Sequence, residues 1–556
     1  LYNFLVGGAA GQGIETIVAI IEKLLKHSGS FVFTSRDFMS RVRGGHNFSI
    51  IRFGADKILS HTNKLNGIIA LNEETIKLHL SDLQPDGFII CDSKIEINEP
   101  RIIKLDLDKM AKEIGNPRVS GTIATGAVLK LFGKGIEDAE KVLKEVLDEK
   151  YIDINLVAIQ KGYKCVDKKY KASSGKFKDW MLITGSEALA LGAITAGLRF
   201  YSAYPMSPST AIMIYLAKKS EEAGIVVEQA EDEIAAINMA IGASYAGAVA
   251  MTGTSGGGFS LMVEALGLSG IAEIPVVIVD VQRPGPATGL PTRTEQSDLK
   301  FVISASQGEF PRMVIALRNH EDSFYQTARA FDIAERYQIP VILLSDQYLG
   351  DASSTVEPYN LEGIKSVNPI KKAVTEGDYL RYKITDEGIS PRLIPGKSKN
   401  LVAADSDEHD EQGHITESSK VRIEMVDKRM RKLEKLKLEL QEPEFIGGDS
   451  FETLLLGWGS TYGAITEAVE ILNKKQGNKY AALVFGDIYP LPMKDLLIKV
   501  EIADRVINIE QNATGQLADL IREQTGIVCD LNILKYDGRQ ITADEIVEKL
   551  EKGVKK

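Results

Sequence analysis

Arg199-Phe200-Tyr201-Ser202-Ala203-Tyr204-Pro205-Met206-Ser207-Pro208-Ser209-Thr210 is the stretch around which the rest of this chain falls into order. Two prolines three residues apart enclose a hydroxyl residue behind an aromatic one, so the turn is stiff and its side chains are held. A helix-like stretch over 187–197 precedes it and a second apolar run over 211–217 follows it. The turn therefore sits on a connection between elements, where binding residues gather. Outward from it, short strands recur at 224–228, 246–252, 275–281 and 340–344, the last three almost wholly apolar. Such runs are buried on both faces, as in a parallel sheet. With helical stretches between them, they predict an α/β domain over 177–359.

The same rhythm continues on either side. Over 1–166, apolar runs at 2–7, 14–26, 48–53, 67–71, 87–91 and 135–149 alternate strand with helix and predict a mainly parallel, doubly wound sheet. Residues 167–176 read as a solvated linker. From 360 to 419 the chain is polar and rich in Gly, Pro, Asp and Glu. That is long for a structureless connection, so a functional excursion is expected. Over 420–441, Val421, Met425, Leu433, Leu436 and Leu440 fall at helical spacing among charges, an amphipathic helix whose stripe is core contact and which Pro443 ends. Excursion and helix together occupy 360–442. The last block, 443–556, alternates again, with strands at 453–458, 480–485 and 506–510 and helices at 464–475 and 515–525. The expected architecture is three consecutive doubly wound α/β domains.

Composition narrows the function. A chain of 556 residues is too long for one core. Net charge is −11 with Lys and Arg dispersed, which argues against a nucleic-acid partner. No apolar run reaches the roughly eighteen residues of a membrane span. The opening residues carry no signal-peptide pattern, and Leu1 is not an initiator, so a short lead is expected before it. Three cysteines, Cys91, Cys165 and Cys529, lie far apart with no Cys-x-x-Cys, so this chain by itself lacks the usual ligand set for an iron–sulfur cluster. Few cysteines and no export signal make the cytoplasm the expected compartment.

Several stretches carry candidate chemistry. Gly7-Gly8-Ala9-Ala10-Gly11-Gln12-Gly13 joins the first strand to a helix, where backbone amides can approach a phosphate. It is not a Gly-x-Gly-x-x-Gly, and no ribose-binding acid follows about twenty residues on. Arg41-Val42-Arg43-Gly44-Gly45-His46-Asn47 sets two guanidinium groups beside a flexible turn, either a solvated basic patch or a phosphate clamp. Asn116-Pro117-Arg118-Val119-Ser120-Gly121-Thr122 is a polar turn before an apolar helix. Glu228-Gln229-Ala230-Glu231-Asp232-Glu233 places acids at a helix start, where capping is the plain reading of Asp232 and Glu233. Thr252-Gly253-Thr254-Ser255-Gly256-Gly257-Gly258 lets backbone approach a flat ligand. The run 282–298 holds Arg283 and Arg293 on a Pro/Gly-stiffened loop suited to a carboxylate. The acidic run 405–417 contains His409 and His414, but its spacing fits no common zinc pattern.

Tyr-Pro-Met-Ser-Pro-Ser-Thr over 204–210 resembles the Tyr-Pro-Ile-Thr-Pro-Ser signature of the 2-oxoacid:ferredoxin oxidoreductases, thiamine-diphosphate enzymes that oxidatively decarboxylate 2-oxo acids. Gly289-Leu290-Pro291-Thr292-Arg293 matches another family segment, and 408–414 resembles its Glu-His-Asp-x-x-Gly-His loop. Segments 485–492 and 510–517 are similar to its transketolase carboxyl-terminal-like domain. Met206-Ser207 and Gly257 depart from the family pattern. Along the chain the blocks follow the order of a γ domain fused to an α subunit.

The resemblance implies coenzyme A phosphates near Gly8, Gly11, Gly13, Arg41 and Arg43. It implies thiamine diphosphate beside Tyr204, Pro205, Glu231, Thr254, Ser255 and Gly256. Glu231, with Glu233 in reserve, is the glutamate expected to act on the aminopyrimidine ring. Arg293 first and Arg283 second would hold the 2-oxo acid carboxylate, and Ser207 would hydrogen-bond the substrate. No Gly-Asp-Gly followed by a distant Asn is present. A β subunit is therefore expected to bring the Mg²⁺-diphosphate site and a [4Fe–4S] cluster, in an (αβ)₂ assembly that reduces ferredoxin. The rival readings are a subunit of a non-oxidative thiamine diphosphate enzyme and a non-catalytic scaffold. Which 2-oxo acid is preferred stays open among 2-oxoglutarate, pyruvate and branched acids.

Overall fold

A computed structural model describes residues 1–40, 44–364, 366–367 and 379–552. The described residues form two compact units, 1–184 with 351–358 and 542–544 in one, and the remainder in the other.

The first unit is built on an eight-stranded sheet with two characters. Ile102–Leu105, Leu83–Asp92, Leu65–Ala70 and Tyr2–Ala10 lie side by side and parallel. Beyond Tyr2–Ala10 come Gly44–Gly54, Phe31–Asp37, Ser353–Val356 and Met181–Thr184, each antiparallel to its neighbour. The mainly parallel sheet expected from the sequence is thus only half the story. Residues 38–43 are too few for the crossover a parallel pair needs, so the strands on either side pair as neighbours in opposite directions.

The chain returns here at Ser353–Val356, where Thr355 Oγ1 accepts from the Val32 amide at 2.9 Å. Helices Ile14–His27, Ser120–Phe132 and Ile152–Lys164 supply the apolar layer over the sheet. The linker at 167–176 is not simply solvated. Lys169 and Tyr170 donate backbone amides to Leu131 O, and the Tyr170 ring stacks on Phe132 at 5.4 Å. One aromatic in a basic run anchors it.

In the second unit, Met313–Ala316, Pro340–Asp346, Val276–Gln282, Ala250–Thr254, Phe200–Ala203 and Val226–Gln229 form a parallel sheet in that order. Asp487–Tyr489, from far downstream, adds an antiparallel edge strand. A five-stranded sheet orders Glu444–Ile446, Tyr480–Phe485, Thr453–Trp458, Arg505–Glu510 and Leu531–Leu534, parallel except for the first. Among the described residues, no helix is long and apolar enough to cross a membrane.

The excursion packs onto this unit through helix Ser419–Leu436, and its stripe is not purely apolar. Met425 and Leu436 are buried as expected, but so are Lys428, Arg429 and Lys432. Lys428 and Lys432 both pair with the buried Glu273. Arg381 donates to the carbonyls of Ala272 and Glu273, and Lys432 to that of Gln338. Those carbonyls lie at the ends of helices Gly256–Ile271 and His320–Tyr337, where the helix dipole favours cations.

Candidate functional site

Four neighbouring parallel strands of the second unit end at one edge of their sheet. Phe200–Ala203 runs into the Tyr204–Pro208 turn, Val226–Gln229 into Asp232, Ala250–Thr254 into Ser255, and Val276–Gln282 into Arg283. Open α/β sheets bind ligands beyond their carboxyl ends. The turn is tied to its neighbours: Arg283 Nη1 donates to Ser207 O at 2.7 Å, and Ser209 Oγ donates to Met206 O at 2.8 Å. Tyr204 is 40% exposed, Ser207 is exposed and Pro205 is half-buried, so the turn presents its side chains rather than packing them.

The acids at the next strand end sort themselves clearly. Asp232 caps helix Glu233–Tyr245, accepting from the Ala235 amide at 2.7 Å. Glu231 is exposed, whereas Glu233 is only 3% exposed and its Oε1 has no hydrogen-bond partner among the described residues. The helix explains this. Glu233, Ala236, Ile237, Ala240, Ile241 and Ser244 form its buried stripe, so the first residue after the cap turns inward.

The glycine run serves these acids. A Cβ at Gly258 would stand 2.5 Å from Glu233 Oε1, and one at Gly256 would stand 2.5 Å from Asp298 Oδ2. At Gly257, the position where the chain departs from the family pattern, a Cβ would meet only Ala287 O at an ordinary 3.7 Å. Thr254 and Ser255 are buried, and Ser255 Oγ has no partner among the described residues. Asp280 and Asp298 were not singled out in the sequence. Asp280 sits in a strand buried on both faces, opposite Thr254 in register, and that isolated acid in an apolar run was the available signal.

Arg283 is partly buried and its Nε has no partner among the described residues. Burial pulls its pKa down while Asp298 and Glu233 oppose that shift. Arg293 is half-buried farther along the loop, beside Gly538. This loop is clamped to the five-stranded sheet: Gln296 and Gln511 exchange backbone and side-chain hydrogen bonds, and Gln296 Nε2 donates to Trp458 O at 2.7 Å. Burial, with Asp298 and Asp537 adding to it, pushes the nearby Glu295 up to about 7. In the 405–417 run, Glu408 pairs with Arg422 and Arg429, and His409 lies against the Tyr382 ring at 3.8 Å. Among the described residues, no group of three His, Cys, Asp or Glu side chains is placed to hold a metal ion.

In the first unit, Gly8 leaves room for Gln12, whose Oε1 accepts from the Ala9 amide at 2.7 Å. Gly11 and Gly13 adopt φ of 93° and 77° with open space where a side chain would point. Gly13 starts helix Ile14–His27 with no side-chain cap, leaving amides of the first turn toward the outside. Arg41 and Arg43 lie outside the described residues. His46 stands opposite Ala9, and its Nε2 is 2.9 Å from His79 Nε2, so it is paired rather than alone.

The sequence matches two family profiles: pyruvate ferredoxin/flavodoxin oxidoreductase over residues 3–165, and the thiamine diphosphate-binding part of pyruvate flavodoxin/ferredoxin oxidoreductase over residues 191–428. The 2-oxoacid:ferredoxin oxidoreductase subunit alpha of a Sulfolobus species is 32% identical, with 100% of this chain and 97% of the relative aligned. The 2-oxoglutarate synthase subunit KorA of Archaeoglobus fulgidus is 34% identical, covering 66% of this chain and 98% of the relative. A solved 2-oxoglutarate:ferredoxin oxidoreductase from Magnetococcus marinus, with 2-oxoglutarate, coenzyme A and succinyl-CoA bound, superposes with a TM-score of 0.93 at 30% identity, covering 100% of this chain and 99% of that one. On these matches and this fold, the chain belongs to the alpha subunits of the 2-oxoacid:ferredoxin oxidoreductase family.

Proposed function

We propose that this chain is an alpha subunit with a γ domain fused at its amino end, and that with a β subunit it converts a 2-oxo acid and coenzyme A to acyl-CoA and carbon dioxide while reducing ferredoxin. The observation that carries the reading is Glu233, a buried carboxylate with an unpartnered oxygen at the carboxyl edge of a parallel sheet. That oxygen is one of several buried polar atoms without a partner among the described residues, and what sets it apart is that it is a carboxylate oxygen at the sheet edge where ligands bind. Glu233 fits the aminopyrimidine end of thiamine diphosphate better than the exposed Glu231, and the role passes to it. When bound, that cofactor supplies the carbanion stabilisation that decarboxylation requires.

This chain's own residues then position and neutralise. Gly256 and Gly258 keep side chains out of the space taken by the acids, Thr254 and Ser255 line it, and Tyr204 and Pro205 form its rim. Arg293 and Arg283 offer guanidinium groups to the substrate carboxylate, and the exposed Ser207 hydroxyl donates to the 2-oxo acid. On the first unit, amides from Gly11 to the uncapped start of helix Ile14–His27 suit the phosphates of coenzyme A, with Arg41 and Arg43 as their guanidinium partners. The boundaries 1–166, 177–359 and 443–556 remain the proposed domain limits; the first agrees with the end of one family profile at residue 165, while the other profile runs on to residue 428. Mg²⁺ and a [4Fe–4S] cluster are placed in the β subunit, the assembly as (αβ)₂, and the compartment as the cytoplasm.

The test is an assay of the chain alone and with its co-expressed β subunit, using coenzyme A, a low-potential acceptor and a panel of 2-oxo acids. 2-Oxoglutarate comes first, because it is bound in the Magnetococcus enzyme. Acyl-CoA formation only in the complex is the expected result. Turnover by the single chain overturns the shared site, and product release without acceptor reduction favours a non-oxidative thiamine enzyme.

A further inference from the structure

Two acids at the end of strand Val276–Gln282 and on the loop that follows it have no part in the chemistry above. Asp280 is fully buried, and neither of its carboxylate oxygens has a hydrogen-bond donor among the described residues. Gln282, two residues along the same strand face, accepts from the Asp298 amide at 3.1 Å and ties that residue to the strand, and the two carboxyls lie within hydrogen-bonding reach of each other. Asp298 Oδ2 is likewise buried without a donor. Gly256 provides the space, since any Cβ there would press on that oxygen. Arg283 at the strand end and Glu295 on the loop face the pair, with Asp537 beyond Glu295, and Glu233 on helix Glu233–Tyr245 faces Arg283.

We propose that Asp280 and Asp298 share one proton and so keep a single negative charge under Arg283, making Asp298 a positioning residue that sets how strongly this arginine attracts the carboxylate of the 2-oxo acid. Two carboxylates in contact in a dry site cannot both ionise, so one proton between them is the stable state. The inference rests on the reading of Arg283 as a carboxylate-binding group.

The pair titrates in a useful range. Burial, with Asp298 reinforcing it, pushes Asp280 well above the usual carboxylate range. Burial also pushes Asp298 up to about 6, against the opposing effects of Asp280 and Arg283. Above about 6, Asp298 is anionic and offsets Arg283. As pH falls through that value Asp298 takes up a proton, its share of the offset disappears, and the substrate meets a less compensated cation. Affinity for the 2-oxo acid should therefore rise as pH falls.

The experiment measures equilibrium binding of 2-oxoglutarate to the assembled enzyme without coenzyme A, across about pH 5 to 8. In the wild type the dissociation constant should fall by roughly threefold or more toward the acid end, the scale expected when a partly screened charge is removed. Asp298→Asn should already bind tightly at neutral pH and lose the inflection. Asp280→Asn should keep the inflection, because the amide donates to charged Asp298 in place of the protonated Asp280 carboxyl. Weaker binding by Asp298→Asn, or an inflection that survives in Asp298→Asn/Glu295→Gln, overturns the proposal.

Infrared difference spectra of the ligand-free full chain give a readout that needs no substrate. In a Glu295→Gln background, which removes the other carboxyl titrating at about 7, a protonated-carboxyl band present at neutral pH should vanish when Asp280→Asn is added. Its absence from the wild type overturns the shared proton even where 2-oxoglutarate binds. A band with no binding of any 2-oxo acid leaves the acid pair standing and sinks the functional reading instead.

Discussion

Glu233, Asp280 and Asp298 on the one hand, and Glu273 on the other, are all buried acids of the second unit, yet their surroundings are opposite. Glu273 meets two lysines, and the surplus positive charge, Arg381 included, is answered by carbonyls at two helix ends. Burial alone would raise its pKa, but Lys432, Lys428 and Arg381 hold it well below the usual carboxylate range. Around Glu233 and Asp280, oxygens are left without donors among the described residues, and the guanidinium of Arg283 gives only one nitrogen to a backbone carbonyl while its Nε stays open. An interior built for stability satisfies its polar groups. One that awaits a ligand leaves some of them open.

Substitution should separate the two regions. The largest effect is expected from Glu233→Gln, which should lower turnover by about two to four orders of magnitude, the range for a lost proton-handling group. Its melting temperature should change little, because the buried oxygen it alters has no hydrogen-bond partner to lose among the described residues. Glu231→Gln should stay near wild type. If Glu231→Gln is the inactive one, the assignment of the unpartnered carboxylate is wrong.

Glu273→Gln should do the reverse. Stranding two buried lysines costs about 3–5 kcal/mol, so the melting temperature should drop by several degrees while activity per folded molecule at low temperature is kept. Equal melting temperatures for Glu273→Gln and Glu233→Gln would erase the distinction drawn here.

Arg293→Ala should raise the Michaelis constant for the 2-oxo acid more than tenfold and leave coenzyme A nearly unaffected, since losing a partly desolvated charge pair costs about 2–5 kcal/mol. Arg293→Lys should recover only part of it, lacking the bidentate fork. A larger loss in Arg283→Ala would exchange the order of the two arginines.

The smallest effect sharpens the contrast through pH. Burial lowers the Lys432 pKa to about 8, against the pull of Glu273. Between about 8 and the ordinary lysine value near 10.4, the unfolded chain binds more protons at this site than the folded one, so this group's contribution to stability rises with pH there. It is lost again as pH falls through 8. Lys432→Met should flatten that rise in melting curves and cost far less at neutral pH than Glu273→Gln. An unchanged slope would show that Lys432 does not titrate in the folded protein.

What could be read from the residues follows from range. Strands 275–281 and 340–344 were legible because a parallel strand covered on both faces must be apolar along its length. Ser353–Val356 was passed over: its partner Phe31–Asp37 lies more than three hundred residues upstream, and pairing across that distance leaves no local mark. Asp232 was legible as a cap. Carrying the stripe Ala236, Ile237, Ala240, Ile241 one turn back would have placed Glu233 rather than Glu231 inside. The cations of helix Ser419–Leu436 misled in the other direction. Periodicity gives a lysine to solvent by default, and only the position of Glu273 on a distant helix end makes burial possible.

Glu510 at the end of strand Arg505–Glu510 has a consequence of its own. Its carboxylate accepts from the amides of Leu517 and Ala518, from the Trp458 indole, and from the side-chain amides of Asn508 and Asn512. Gly515 leads into helix Gln516–Thr525 in a left-handed conformation, so the local geometry is that of a glycine loop feeding a helix start, the usual seat for a phosphate. Here the protein has plugged that seat with an anion of its own. The third sheet is therefore closed to nucleotides and diphosphates at this point, and its electrostatics are directed inward, holding the strand end against the helix. Emptying the plug by Glu510→Ala would turn a structural joint into an orphan anion site, one that should gather inorganic phosphate from the buffer while the fold around it loosens.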